Sequence, residues 1–385
     1  MSDLLIYGAN GYTGALIARE AVAHGRRPIL AGRTARAVAA LATELGLEHR
    51  TFALDDPAAI AAGLRGVAAV LNCAGPFART AGPLAGACLA DRVHYLDVTG
   101  EIAVFEALAG RDREAGAAGV TLLPGVGFDV VPSDCLAAHL KRRLPTATRL
   151  TLVFQGLGRV SHGTATTLAE NLHRGGMVRR GGRLTPVPAA WKTRAVDFGR
   201  GPVTAMTIPW GDVATAWYST GIPNVEVYAA APWSFRLAAR LSRYVRPLLR
   251  RKRAQAAIVR RLTGGAAGPT AEERARGRSY LWGEVADAEG RTAAAREEGP
   301  EGYTLTVHAA LAAAERVLAG GVPTGYQTPA AAFGPDFVLT LPGVRRIDLP
   351  GSDGARRGTG TRFATSSMGD APPGPEFRPA REGER

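Results

Sequence analysis

The chain has 385 residues, 46% apolar and 21% charged, the balance of a globular protein with room for about two domains. It has no apolar run of the ~18 residues that a membrane-spanning helix needs, and Cys73, Cys88 and Cys135 lack metal-ligand spacing and cannot all pair, so they read as reduced thiols of a cytoplasmic protein. The net charge of +13 is uneven, with 11 Arg/Lys against 13 Asp/Glu in residues 1–130 and 36 against 21 beyond; nearly every cation is Arg, as in products of GC-rich genomes, so no nucleic-acid partner is expected.

Asp3-Leu4-Leu5-Ile6-Tyr7 has strand length and runs directly into Gly8-Ala9-Asn10-Gly11-Tyr12-Thr13-Gly14, after which an alanine-rich segment reads as a helix to about His24. No signal peptide is expected before so early a strand. Strand, glycine turn and helix in this order are the setting in which such glycines bind a dinucleotide. Gly8 permits the tight turn, Gly11 lets backbone approach the pyrophosphate, and Gly14 lets helix and strand pack closely. The pyrophosphate then meets the helix N-terminus, where free N–H groups and the dipole favour negative charge. A purely structural glycine turn is the plain alternative.

A second strand, Arg27-Pro28-Ile29-Leu30-Ala31-Gly32, ends in Arg33, with Arg36 close behind and no acid at the position. An acid there would accept from the ribose of NAD, whereas an arginine pairs with the 2′-phosphate of NADP; NADP is the expected cofactor. Glu48 to Leu54 reads as the third strand, with Asp55 at the adenine edge. Val67 to Cys73 is a buried strand leading into the small-residue turn Ala74-Gly75-Pro76, beside the nicotinamide ribose. A helix over about 81–91, a strand over Val93–Val98, a helix over about 102–117 and a strand over Val120–Leu123 complete a doubly wound parallel sheet in residues 1–130.

A second α/β domain with a mixed sheet is expected over 131–345. Leu150–Phe154 is strand-like, and Ser161-His162-Gly163-Thr164 opens a helix running to about Leu172. That opening reads either as a helix cap or as a substrate contact facing the nicotinamide. Val203–Ile208 and Val225–Tyr228 alternate as strands. Residues 236–262 hold ten Arg/Lys and no acid. On a helical wheel Arg236, Arg240, Arg243, Arg246 and Arg250 oppose Leu237, Leu241, Tyr244, Val245 and Leu248, and Pro247 should end or kink the helix. Such a segment either docks an anionic membrane surface or an acidic carrier protein, or packs its apolar stripe on the domain and leaves a solvated basic face. Residues 263–270 read as a flexible linker, Tyr280–Val285 and Tyr303–Val307 as paired strands, 308–319 as a helix, and 351–385 as a disordered tail.

Several segments resemble the saccharopine dehydrogenase-like oxidoreductases: Gly8–Gly14, Asn72–Phe77, Tyr95-Leu96-Asp97-Val98-Thr99-Gly100-Glu101, Gly127–Asp134, Ser161–Ala165 and Gly325–Ala331. Within that family the chain is similar to the bacterial trans-acting enoyl reductases, partners of lipid-making polyketide synthases. The resemblance implies an NADPH-dependent reductase acting on a small-molecule or carrier-bound acyl substrate, and a return of Thr328-Pro329-Ala330 towards the cofactor domain. A homodimer is compatible with it.

No dedicated acid/base pair stands out. The Tyr and Lys four residues apart of short-chain dehydrogenases are absent, since Ala137, Pro188 and Leu248 precede Lys141, Lys192 and Lys252 by four. Cys135 is the last cysteine, in an apolar neighbourhood, and offers no thioester-forming nucleophile. Tyr95, Asp129 and His162 are the candidate proton donors or positioners, with Asp97 and Glu101 nearby; each could equally serve as a cap or a brace. Enoyl reduction is compatible with so sparse a site. A saccharopine-type imine reduction would want cations for substrate carboxylates, which Arg159, Arg174, Arg179 and Arg180 could supply. A non-catalytic NADP sensor is the remaining alternative.

Overall fold

The computed structural model describes residues 4–352 except 157–160, 172–174, 246–250 and 265–266. The tail expected to be disordered lies, from residue 353 on, outside the described residues. In chain order the first third comprises β1 (Leu4–Tyr7), α1 (Tyr12–Ala23), β2 (Ile29–Gly32), α2 (Ala35–Leu45), β3 (His49–Thr51), α3 (Pro57–Leu64), β4 (Ala69–Asn72), α4 (Phe77–Ala90), β5 (His94–Asp97), α5 (Ile102–Ala109), α6 (Asp112–Ala118) and β6 (Thr121–Leu123). There follow α7 (Val131–Arg143), β7 (Arg149–Gln155), α8 (His162–Asn171), β8 (Gly176–Arg180), β9 (Arg183–Val187), β10 (Thr193–Asp197), β11 (Pro202–Thr207), α9 (Asp212–Thr220), β12 (Asn224–Ala230) and α10 (Trp233–Leu241). The last described elements are α11 (Lys252–Thr263), α12 (Ala271–Arg276), β13 (Arg278–Ala286), β14 (Thr292–Pro300), α13 (Gly302–Leu318), β15 (Gly325–Tyr326), α14 (Pro329–Phe333) and β16 (Arg345–Leu349).

The first sheet has the order β15-β6-β5-β4-β1-β2-β3 and every pairing in it is parallel. Its central strands β1, β2 and β4 are almost entirely apolar and buried, as a sheet covered by helices on both faces requires. Strand order reverses between β1 and β4, and in such folds the ligand crevice opens at that point, outside the carboxyl ends of the strands. The seventh strand comes from far along the chain: Gly325 and Tyr326 pair with Thr121 and Leu122, and Asp112 accepts the Tyr326 N–H at 2.8 Å.

The second sheet is mixed, with the order β10-β11-β12-β7-β13-β14-β16 and the β8–β9 hairpin attached at β12. Only β12 and β7 run parallel; the other pairings are antiparallel. Helix α7 leaves the first domain and packs on β13 and β14, carrying Cys135, Leu136 and Leu140 into a core that reaches across both domains.

Three expectations are corrected. Residues 303–307 are the first turns of α13, not a strand: Glu301 accepts the Tyr303 and Thr304 N–H groups and so starts the helix, which packs on α1. A cap and a tertiary partner outweigh the strand preference of Tyr-Thr-Leu-Thr-Val. The single helix over 102–117 is two, broken at Gly110 and Arg111. Residues 267–270 are no loose linker, because Gly268 and Pro269 are buried against the first domain.

Candidate active site at the switch point

The glycine turn is shaped by contacts that a side chain would break. Gly8 has φ +79°, and a Cβ there would sit 2.8 Å from the Ala74 nitrogen; a Cβ on Gly14 would sit 2.5 Å from the Gly8 carbonyl oxygen. The Gly11 N–H closes the turn on the Gly8 oxygen at 3.0 Å, and the first bond of α1 is donated by Ala15 to Gly11. Gly11 is the N-cap and offers no side chain to the helix start, so the Tyr12, Thr13 and Gly14 amides precede the first helical bond uncapped. That is an anion cradle.

The adenosine side is assembled from three strand ends. A Cβ on Gly32 would lie 3.1 Å from Asn10 Oδ1, which places the Asn10 side chain over the end of β2 beside Arg33. Arg33 and Asp55 are both exposed, and both charges act on the hydroxyl of Tyr7, whose pKa burial raises, so they flank one end of the crevice. The Tyr7 hydroxyl itself donates to the Phe52 carbonyl. Uncapped amides, a close-approach glycine and an exposed arginine at the end of β2 fit a dinucleotide carrying a 2′-phosphate.

On the other side of the switch point a hydrogen-bonded floor runs from β4 to β5. Asn72 Oδ1 accepts the Ala74 N–H at 3.0 Å, while its Nδ2 donates to Tyr95 at 3.1 Å and to Thr80 at 3.2 Å. Tyr95 in turn donates to Asp97 at 2.8 Å, and the other Asp97 oxygen accepts from Thr99 and Gly125. Burial is the main influence on Asp97 and lifts its pKa to about 6 against those stabilising bonds. Tyr95 has no exposed surface, and burial holds its hydroxyl well above the usual range. Of the two roles expected for it, Tyr95 has the geometry of a positioner, bracing the floor beneath the Ala74-Gly75-Pro76 turn through Asn72 and Asp97. Glu101 is also occupied, accepting the Phe77 and Ala78 amides at 2.8 and 3.1 Å and thereby capping α4.

Asp129 stands apart. A Cβ on Gly100, next to the capping Glu101, would lie 2.7 Å from Asp129 Oδ2, so the carboxyl packs at the edge of this floor. Its backbone carbonyl accepts the Trp210 indole N–H at 2.8 Å, which ties it to the second domain. Its carboxylate makes no ion pair among the described residues. Desolvation alone raises its pKa to about 6. Behind it lie the fully buried Asp134, also raised to about 6 by burial, and Asp212, held well above the ordinary range by burial and by the charges of Asp134 and Asp129. Asp134 is anchored by the Ala330 N–H at 2.8 Å, in the returning Thr328–Ala331 segment.

The second domain supplies the opposite wall. Tyr12 donates to the Pro269 carbonyl, accepts from Arg274 at 2.9 Å, and meets Tyr303 edge-on with ring centres 5.0 Å apart. Tyr303 accepts the Ser161 N–H at 2.6 Å, and the His162 N–H donates to the Ala267 carbonyl. His162 is exposed at the start of α8, so the structure brings this helix opening to the wall that holds Tyr12. Sequence reasoning passed over Trp210, Arg274 and Tyr303; nothing local marks them, because each matters only through a partner at least 80 residues away.

Residues 4–123, the segment that forms β1 to β6, match the family model of the saccharopine dehydrogenase NADP binding domain. By that match the N-terminal third of the chain is a saccharopine dehydrogenase-type NADP-binding domain. Its cofactor is NADP(H). Trans-acting enoyl reductases of Mycobacterium leprae and Mycobacterium tuberculosis are 31% identical to the chain over 150 residues, a match covering 37% of this chain and 36% of theirs. The match thus spans about a third of these curated relatives. Across the whole fold, the saccharopine dehydrogenase (L-Glu forming) of Saccharomyces cerevisiae superposes with a TM-score of 0.62 at 12% identity, covering 91% of this chain and 100% of that one. The NADP-binding domain and the mixed-sheet domain are thus joined as in that fold.

Proposed function

We propose that the protein is an NADPH-dependent oxidoreductase that reduces an enoyl thioester or a related lipid-type intermediate. The Tyr12–Gly14 amides would hold the pyrophosphate, Asn10 and Arg33 the ribose phosphate, Asp55 the adenine edge, and the Ala74-Gly75-Pro76 turn the nicotinamide ribose. Bound NADPH supplies a hydride, which an enoyl acceptor takes at its β-carbon. The α-carbon then needs a proton, and Asp129 is the group best suited to give it. Its carboxyl lies at the crevice edge beside Gly100, lacks an ion-pair partner among the described residues, and is lifted by desolvation to about 6, so it stays protonated well above the usual carboxylate range. Trp210 fixes it by holding its carbonyl, and Glu101 fixes the turn opposite by capping α4.

The observation that carries the reading is the uncapped start of α1 together with the end of β2, where Asn10 lies over Gly32 and the exposed Arg33 makes no ion pair among the described residues. The names of the mycobacterial relatives support the enoyl substrate. The imine reading loses one of its four cations. Arg179 is buried, paired with Glu106 and bonded to the Val213 and Gly182 carbonyls, while Arg180 lies over the Trp191 ring; Arg159 and Arg174 lie outside the described residues. The test is NADPH oxidation followed at the nicotinamide absorbance with enoyl thioesters of increasing chain length and with oxo-acid and amine pairs. Turnover of the thioesters supports the reading. Turnover of oxo-acid and amine pairs alone refutes the substrate class, and tight NADPH binding with no turnover favours a sensor.

A further inference from the structure

The wheel of residues 236–262 leads to the expectation that the apolar stripe of the first helix packs inward or onto a partner, and the structure decides the orientation. Arg236 points to the body, donating to the Ala231 carbonyl at 2.9 Å, and Ser242 is buried. Trp233, Leu237 and Leu241 follow the i, i+4, i+8 line on the other side of α10, and their exposures are 70%, 48% and 50%. Phe235 is 54% exposed, and no residue of α10 is buried. The stripe therefore faces solvent. A stripe of large apolar side chains that includes a tryptophan is costly to leave in water and marks an interaction surface.

Both helices carry unpaired cations: Arg240 on α10, Arg251 at the N-cap of α11, and Lys252, Arg253, Arg260 and Arg261 on α11 are exposed and form no ion pair among the described residues. Residues 236–262 contain no acid. Helix α11 itself is anchored, its Ile258 and Val259 packing on Ala165 and Ala169 of α8. Helix α8 opens at His162, on the wall beside Tyr303 and Tyr12. The basic face of α11 is thus tied through α8 to the wall of the cofactor crevice.

We propose that α10 and the outer face of α11 dock the protein on an anionic phospholipid surface, with Trp233, Leu237 and Leu241 entering the headgroup–acyl boundary and the cations of the two helices meeting the lipid phosphates. An acidic protein partner would be satisfied by the cations alone. The outward-facing Trp233, Leu237 and Leu241 on one line of the helix need an apolar medium, which the boundary of a bilayer supplies. No described helix is long and apolar enough to cross a membrane, so the contact is peripheral.

The experiment is flotation of the full chain with phosphatidylcholine vesicles with and without phosphatidylglycerol. Wild type is expected to partition at least about tenfold more strongly to the anionic vesicles, because each cation near such a surface contributes several-fold. The triple variant Trp233→Ser, Leu237→Ser, Leu241→Ser and the double variant Arg240→Glu, Arg253→Glu should each lose about tenfold or more, with unchanged NADPH affinity showing that the fold is intact. Failure of wild type to float, or flotation that the triple variant retains, overturns the proposal. Capture of an acidic acyl carrier protein that is unaffected by the serine substitutions, without vesicle binding, overturns it in favour of a protein partner.

Discussion

Gly8→Ala tests the cofactor cradle at its tightest point. The new methyl would be held at φ +79° and would lie within 2.9 Å of the nitrogen, Cα and Cβ of Ala74. A side chain in the left-handed region costs about 1–2 kcal/mol. Forcing a methyl into a packed space adds about 1–3 kcal/mol, and here the obstructing atoms include backbone that cannot swing aside. The expected destabilisation is therefore about 2–5 kcal/mol, read from urea unfolding. Two other glycines separate the contributions. Gly25 has φ +72° with nothing within 4 Å of its would-be Cβ, so Gly25→Ala should show the strain alone, about 1–2 kcal/mol. Gly14 has ordinary φ but a would-be Cβ only 2.5 Å from the Gly8 oxygen, so Gly14→Ala should show the clash alone. Gly8→Ala and Gly14→Ala should abolish NADPH binding by fluorescence, whereas Gly25→Ala should leave it unchanged. A Gly8→Ala protein as stable as Gly25→Ala, with NADPH affinity intact, would refute the reasoning.

Asp129→Asn should lower the reduction rate by about 10²–10⁴-fold, and the wild-type rate should fall as pH rises above about 6, where the carboxyl loses its proton, while the variant is flat there. Asp134 is fully buried, and its raised pKa favours the protonated form, so its contribution to stability is complete below the unfolded value of 3.8 and is lost as pH rises through about 6. Asp134→Asn should therefore flatten the fall in stability between those limits by an amount on the order of 1–3 kcal/mol, measured by urea unfolding at each pH. Arg346→Met should cost about 3–5 kcal/mol, because it strands the buried Glu297 carboxylate that the guanidinium holds at 2.7 Å.

The parallel sheet was legible because β1, β2, β4 and β6 are short apolar runs bounded by glycine or proline, and because the first turn carries its chemistry in seven consecutive residues, Gly8 to Gly14. What was not legible depends on partners remote in sequence. Tyr303–Val307 has the composition of a strand and becomes a helix through Glu301 and α1. Gly268 and Pro269 read as linker because no local pattern shows that Tyr12 lies above them. The orientation of α10 could not come from a wheel, which separates two faces without saying which one meets the protein. In the site, the sequence drew Tyr95, Asp129 and His162 together as similar candidates, and only burial distinguishes them. Tyr95 is sealed under the floor, Asp129 sits at its edge with a raised pKa, and His162 is exposed on the far wall.

The most direct test of the account is the affinity of wild type and Arg33→Ala for NADPH and NADH, measured by nicotinamide fluorescence. The account predicts that wild type prefers NADPH and that the variant loses this preference by about 1–3 kcal/mol, as for one charged hydrogen bond, with NADH affinity unchanged. Equal affinity of wild type for both cofactors, or a preference that survives the loss of Arg33, would contradict it.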